Sequence, residues 1–189
     1  EFCNLVGRIP GGDKPPILIG AHYDTCGPYP GADDNAAAVA ISLSIVPELM
    51  GEKMGRDIII AFFDAEEPPY FLDKHTMGSI NFYKGQMTEE VDFAIIMDLV
   101  GHDVPIKELE DLLFMTGVES HSENQHIIEN ANYEGLRLIP AHSKYIPDLS
   151  DYHAFKEGGV PYFFLSCGWG KHYHQPTDTP DTLNYDKMA

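Results

Sequence analysis

The chain has 189 residues, of which 43% are hydrophobic and 22% charged, an ordinary composition for a globular protein that predicts one domain with a sizeable core. Its formal net charge of -18 argues against nucleic acid or an anionic membrane surface as a partner. No apolar run approaches the ~18 residues of a membrane-spanning helix, and no signal peptide is visible.

The three cysteines do not decide the compartment of the protein. Cys3, Cys26 and Cys167 are odd in number and lack C-x-x-C spacing, so we expect no zinc ribbon and at most one internal disulfide. The compartment therefore stays open between secreted or periplasmic and cytoplasmic.

The chain lacks an initiator Met and ends in what resembles an unfinished helix. We expect residues 1–189 to be a single domain, truncated at one or both ends.

The first half of the chain predicts strands alternating with helices. An edge strand over residues 4–9 ends at a Pro-Gly-Gly turn, and an apolar run over residues 16–22 predicts a buried strand. Asp33, Asp34 and Asn35 then form a candidate N-cap for an Ala-rich helix over residues 36–49.

The remaining elements follow the same alternation. We predict buried strands over residues 58–63, 93–97 and 160–165, and helices over residues 77–84, 120–132 and 151–157. Strands that alternate with helices indicate an α/β sheet covered on both faces.

Polar residues fall where the predicted buried strands end. Ligands of α/β sheets bind outside the carboxyl ends of the strands, so residues distant in sequence converge along that edge. The side chains in question are His22, Asp33, Asp34, Glu66, Glu67, Asp98, His172 and His174. Their nitrogen and oxygen donors suit Zn²⁺ or a similar divalent ion.

The adjacent carboxylates of Glu66 and Glu67 are the most informative pair. At the exit of a buried strand they repel each other and lose water together, which is costly unless a cation compensates them. Taken singly, each polar residue also has an ordinary explanation, such as a solvated turn, a helix cap or a surface histidine. The separate explanations do not account for their conjunction at matching topological positions.

Five segments together resemble the zinc aminopeptidases of peptidase family M28, in the order in which the family carries them. They are Gly20–Asp24 (GAHYD), Pro30–Asn35 (PGADDN), Phe62–Glu67 (FFDAEE), Met97-Asp98 and His174–Thr179 (HQPTDT). The resemblance covers nearly the whole chain. It implies a single catalytic domain with a three-layer αβα sandwich around a mostly parallel mixed sheet, the phosphorylase/hydrolase-like zinc exopeptidase fold.

The resemblance also implies a role for each site residue. Asp34 bridges two zinc ions, His22 and Asp98 complete one site, and Glu67 and His174 complete the other. His172 competes with His174, but His174 has the family's spacing to Asp178. A cis peptide bond is expected between Asp34 and Asn35.

The implied chemistry is electrostatically consistent. The three ligand carboxylates leave one positive charge on two divalent ions, which a bridging hydroxide neutralises, and such a hydroxide attacks the N-terminal peptide bond of a peptide with a free N-terminus. Glu66 is then the general base, which takes the proton of the water and passes it to the leaving amine. Because successive strand residues point to opposite faces, the chain must already be turning at Glu66 and Glu67. Manganese or cobalt also suits this ligand set.

Further candidates surround the proposed ligands. Asp24 is expected to hold the imidazole of His22. Asp151 lies in a segment that resembles the family's Ser-Asp-His motif, and a helix N-cap is its alternative role. Tyr145 or Tyr152 is a candidate donor to the oxyanion. The Pro68–Phe71 stretch replaces a commoner Gly-rich loop and is expected to reshape the substrate pocket.

Two other functions stay open at this point. A glutaminyl cyclase-like enzyme shares the fold, uses one zinc ion and closes an intramolecular amide. A non-catalytic binding domain on the same fold is the third possibility, although the presence of all five ligand positions and of Glu66 argues against it.

Overall fold

In the computed structural model, which describes residues 2–130 and 135–189, seven strands form one mixed sheet. The strand order is β1-β3-β2-β4-β7-β5-β6. The strands are β1 (Leu5–Ile9), β2 (Lys14–His22), β3 (Arg56–Phe63), β4 (Phe93–Met97), β5 (Leu112–Thr116), β6 (Arg137–Ala141) and β7 (Tyr162–Ser166).

Within the described ranges, six short α-helices connect and flank the strands. They are α1 (Ala37–Ser44), α2 (Val46–Leu49), α3 (Gly78–Asn81), α4 (Asn124–Asn130), α5 (Tyr152–Glu157) and α6 (Tyr185–Met188). Wide helical turns over Ala32–Ala36 and Phe82–Gln86 precede α1 and follow α3. None of the helices in the described ranges is long and apolar enough to cross a membrane.

The middle of the sheet is parallel and positions the site. β3, β2, β4 and β7 are consecutive parallel neighbours, whereas β1 runs antiparallel to β3 and β5 antiparallel to β7. The carboxyl ends of four adjacent strands therefore meet at one edge. The predicted α/β class with a mostly parallel, mixed sheet is therefore confirmed.

Two hydrophobic clusters cover opposite faces of the sheet. Alternate residues of a strand point to opposite faces. Leu18 and Phe63 therefore pack in one cluster with Phe155 of α5, while Ile19 packs in the other with Ala38 of α1. Near-continuous apolar runs such as β3 are what a strand buried on both faces requires.

The predicted elements agree with the structure except at four places. The expected N-cap at Asp33, Asp34 and Asn35 is wrong, because α1 has Ala36 at its N-cap position and no side chain caps it. The predicted helix over residues 36–49 is interrupted at Ile45 between α1 and α2. The helix predicted over residues 120–132 begins later, at Asn124, and its residues 131 and 132 lie outside the described residues. Sequence reasoning missed β5 and β6, although the apolar Leu112–Met115 run of β5 was a usable signal.

Candidate metal centre

The carboxyl ends of four strands, β2, β3, β4 and β7, and the loops that follow them deliver the proposed ligands. β2 ends at His22, Asp34 lies in the wide turn after β2, and Glu67 follows β3. Asp98 directly follows β4, and His174 lies in the loop after β7. These residues are up to about 150 positions apart in sequence, and the parallel order of the strands brings them together.

The side chain of Asp34 lies between two histidines. Its Oδ1 is 3.3 Å from Nε2 of His22, and its Oδ2 is 3.2 Å from Nε2 of His174. His22 Nε2 is also 3.6 Å from Oδ1 of Asp98, and His174 Nε2 is 3.0 Å from Oε2 of Glu67. The side chains thus form two groups that share Asp34.

The chemistry of these donors fits divalent cations. Among the described residues, several buried polar atoms face one another here without a hydrogen bond of acceptable geometry: His22 Nε2, Asp34 Oδ2, Glu67 Oε1 and Asp98 Oδ1. Buried polar atoms are nearly always paired, and an unpaired one costs about 1–3 kcal/mol. Imidazole nitrogens and carboxylate oxygens are ligands that Zn²⁺ accepts, so a metal ion would satisfy all four atoms.

Burial raises the pKa of four carboxyl groups at the site, those of Glu66, Glu67, Asp98 and Asp151. Loss of water, reinforced by the charge of Asp34, raises the pKa of Glu67 to about 8, and burial raises the pKa of Asp151 to about 7. The pKa of Glu66 is also well above its usual value, mainly through burial. Without a cation, part of this cluster must therefore hold protons.

The chain turns between β3 and the two glutamates. Ala65 has φ of 56°, in the left-handed region that non-glycine residues seldom adopt, and its N–H donates to Oδ1 of Asp64. This turn lets both Glu66 and Glu67 reach the site, as the sequence argument requires. Leu99, which follows Asp98, has the same φ of 56°.

Asp24 supports both the histidine and the glutamates. Its carboxylate oxygens accept hydrogen bonds from the N–H groups of Glu66 (3.2 Å) and Glu67 (3.0 Å), and Oδ1 is 3.4 Å from Nδ1 of His22. Burial alone would raise the pKa of Asp24, but the His22 contact and the two backbone hydrogen bonds outweigh it and lower the pKa. The role expected from the sequence covered only His22.

Asp178 fixes the turn that carries Asp34. Its two carboxylate oxygens accept hydrogen bonds from the N–H groups of Asp33 (2.9 Å) and Asp34 (3.1 Å). The peptide bond between Asp34 and Asn35 is cis, as the resemblance implied. The sequence motif contained Asp178, but only the fold reveals what it contacts.

Asp151 is fully buried at the start of α5. It occupies the N-cap position, yet its side chain makes no capping hydrogen bond, so the helix-cap alternative is wrong. The charges of His22 and Asp98 act on its carboxyl group. Asp151 therefore lies close to His22 and Asp98, two of the proposed ligands.

The two tyrosines predicted as oxyanion donors lie elsewhere. Tyr152 is fully buried, its ring stacks on Tyr162, and its hydroxyl donates to the carbonyl of Pro147 (2.8 Å). Tyr145 is 78% exposed and carries the ammonium of Lys144 over its ring. Neither lines the cavity at the site, because the apolar face of α5 and the surface loop before it direct these rings away.

Tyr173 is the aromatic residue that sequence reasoning missed. Its ring stacks on His174 with centroids 3.8 Å apart, and burial together with the charges of Asp34 and Glu67 raises the pKa of its hydroxyl. Its position next to His174 in sequence was a signal. His172 instead contacts Oγ1 of Thr177 (2.9 Å) and faces another cavity, so it does not join the ligand groups.

An apolar cavity of about 320 Å³ opens onto the proposed ligands. Its hydrophobic walls are Pro68, Phe71, Leu99, Leu149, Phe164 and Trp169. The stretch expected to reshape the pocket thus contributes Pro68 and Phe71. His174 has 25% of its side chain exposed, which leaves the centre accessible from this side.

Comparison with known proteins identifies one family over nearly the whole chain. The family model described as peptidase family M28 matches residues 4–189. Leucine aminopeptidase 2 of Trichophyton rubrum is 23% identical over 209 residues, which cover 96% of this chain and 41% of that protein. The chain spans between 19% and 67% of the length of the curated relatives that it matches.

Solved structures agree on the fold. A Zn-dependent exopeptidase from Parabacteroides distasonis has a TM-score of 0.78 and 18% identity, with 100% of this chain and 74% of that chain covered. The glutaminyl cyclase of Tannerella forsythia has a TM-score of 0.77 and 20% identity, with 99% of this chain and 74% of that chain covered. At such identities the similarity establishes the fold and leaves the reaction undecided.

Proposed function

The chain belongs to peptidase family M28, and we propose that it is a zinc-dependent aminopeptidase that hydrolyses the N-terminal peptide bond of a peptide. The observation that carries this proposal is the convergence of five side chains with nitrogen or oxygen donors, from the ends of four strands and the loops after them, with four buried atoms left unpaired among the described residues. Five unrelated surface residues would not share one buried site in this way.

Two groups of side chains would hold two zinc ions. His22, Asp34 and Asp98 would bind one ion, and Asp34, Glu67 and His174 the other, consistent with the contacts of Asp34 to both histidines. When bound, zinc supplies a Lewis acid that polarises the peptide carbonyl and lowers the pKa of water toward neutrality.

Glu66 would move the proton in the reaction. Glu66 is only 5% exposed and lines the cavity. Its Oε2 lies 3.8 Å from Nε2 of His22. The backbone N–H of Glu66 donates to Asp24, and among the described residues the closest ion-pair contact of the Glu66 carboxyl group is the 3.8 Å approach to His22. Such a group is suited to take a proton from water and to give it to the leaving amine.

The apolar cavity would receive the N-terminal side chain of the substrate. Phe71, Leu149 and Phe164 offer it no charged partner, so burial of an apolar side chain is favoured by about 25 cal/mol for each Å² removed from water. We therefore propose a preference for peptides that begin with Leu or another apolar residue.

Metal analysis combined with a substrate panel tests the proposal. We expect near two zinc ions per chain and release of free amine from Leu-anilide faster than from Glu-anilide. One zinc ion per chain, with pyroglutamate formed from Gln-peptides, would instead identify a cyclase. Full metal content without either reaction would identify a binding domain.

A further inference from the structure

Cys26 lies in the loop that connects β2 to the turn carrying Asp34, and the proposed mechanism gives it no role. The residue is half-buried, and its carbonyl accepts a hydrogen bond from the N–H of Tyr29 (3.3 Å). Gly27 follows with φ of 56° and with open space around its α-carbon. The residue that follows the thiol is therefore not closely packed.

The thiol of Cys26 stands beside one of the two ligand groups. Its Sγ, a carboxylate oxygen of Glu67 and a ring nitrogen of His174 all lie within 4.8 Å of one another. Ligand atoms around one tetrahedral zinc ion are about 3–4 Å apart, given bonds of about 2.0–2.3 Å. The three donor atoms therefore lie close to the spacing that one zinc ion requires.

A second observation at the same place points to a cation. Glu67 is only 4% exposed, and among the described residues its buried Oε1 lacks a hydrogen bond, while its Oε2 already contacts His174. A buried carboxylate oxygen without a donor, next to an imidazole nitrogen and a thiol, is a set of donors typical of zinc.

We propose that Cys26 is a ligand of the metal ion that Asp34, Glu67 and His174 hold. The sulfur would bind as a thiolate, and the thiol proton would pass to solvent as the sulfur–metal bond forms. This inference rests on the proposed function, because it adds a ligand to one of the two ions named there.

A fourth protein ligand would give the two ions different roles, because only one of them would keep an open coordination position. With Cys26, Asp34, Glu67 and His174 bound, that ion has the four protein ligands of a closed site. The other ion, with His22, Asp34 and Asp98, keeps an open position, and it is the one next to Glu66. Sulfur would also make the closed site selective for zinc over manganese, which prefers oxygen ligands.

Cobalt substitution tests the sulfur ligand without reliance on activity. We expect the protein loaded with Co²⁺ to have a near-ultraviolet sulfur-to-cobalt charge-transfer band that is absent from Cys26→Ser and Cys26→Ala. Cys3→Ser and Cys167→Ser are the matched controls and should keep the band, since neither residue belongs to the cluster. Circular dichroism of each variant would establish that it is folded.

Zinc affinity gives a second readout. We expect Cys26→Ala to bind one of its two zinc ions more weakly, by at least the ~10-fold that loss of an outer-shell partner causes. A wild-type cobalt spectrum without the charge-transfer band, or a band that persists in both Cys26 variants, overturns the inference. Cobalt binding and Leu-anilide hydrolysis without the band would leave the proposed function intact, whereas a protein that binds no cobalt would contradict both.

Discussion

At the scale of single residues, the adjacent glutamates have different surroundings. Glu67 contacts His174 at 3.0 Å, while the nearest histidine nitrogen to Glu66 is 3.8 Å away. The left-handed conformation of Ala65 turns the chain just before the pair, so both side chains reach the same cavity. Different contacts within one site are what the proposed roles require, with Glu67 as a metal ligand and Glu66 as the proton carrier.

Replacing Glu66 by Gln should separate proton transfer from metal binding. Gln keeps the size of the side chain but does not accept a proton at neutral pH, so we expect turnover of Leu-anilide to fall by about 10²–10⁴-fold with zinc content unchanged. Glu67→Gln is the matched control and should lose zinc. Loss of zinc from Glu66→Gln would mean that Glu66 is itself a ligand. Activity and zinc content should be measured on the same preparations.

At the scale of elements, short helices hold the site because they pack on the sheet. Phe155 of α5 is fully buried, with ring centroids 6.2 Å from Phe63 and 5.9 Å from Tyr83. An isolated helix of six residues has little stability in water, so this packing is what keeps α5 helical. It thereby fixes Asp151 at the start of α5.

Truncating Phe155 should therefore destabilise the whole domain. We expect Phe155→Ala to lower the free energy of unfolding by about 3–5 kcal/mol, through lost burial and the cavity that remains. Ile139→Ala on the edge strand β6, where the residue is 40% exposed, should cost under about 1 kcal/mol. Urea unfolding with chelator present measures both changes, and equal losses would contradict this account of the core.

The strands that sequence reasoning missed also have an explanation at this scale. Among the described residues β6 pairs with β5 alone, and it contains Pro140 and is largely exposed, so it lacks the apolar run of a buried strand. Its strand structure depends on pairing with β5, which pairs antiparallel with β7. Such pairing between distant segments leaves a weak signal in the local sequence.

At the scale of the whole molecule, the acidic site makes stability depend on pH and metal. In the metal-free protein the pKa of Glu67 is raised from 4.5 to about 8 and that of Asp151 from 3.8 to about 7, in each case first through burial. Between about pH 5 and 8 the folded state thus binds more protons than the unfolded state. Its stability is full below this window and falls as the pH rises through it.

Unfolding by urea at several pH values tests this linkage. With chelator, we expect the free energy of unfolding to decrease steadily from pH 5 to pH 8. Zinc at about 1,000 times its dissociation constant should add about 4 kcal/mol at neutral pH, because it binds only the folded state. Glu67→Gln should flatten the pH dependence of the metal-free protein. A stability that rises with pH over this window would contradict the assigned burial of these carboxyl groups.

The sequence by itself determined the α/β class, the order of the central elements and which residues we propose as donors. Apolar runs ending in His22, Glu67 and Asp98 carry that information locally, because burial of a strand and the chemistry of its last residue are both visible in sequence. The family resemblance then selected Asp34 and His174 from the candidates Asp33, Asp34, His172 and His174.

Only the tertiary structure decided which groups face one another. Tyr152 was a reasonable oxyanion donor in sequence, yet the packing of α5 buries it on Tyr162, while Tyr173 reaches the cavity. The approach of Cys26 to Glu67 depends likewise on how two loops close over the sheet edge. Side-chain direction in loops follows from contacts between segments distant in the chain, and no local pattern records those contacts.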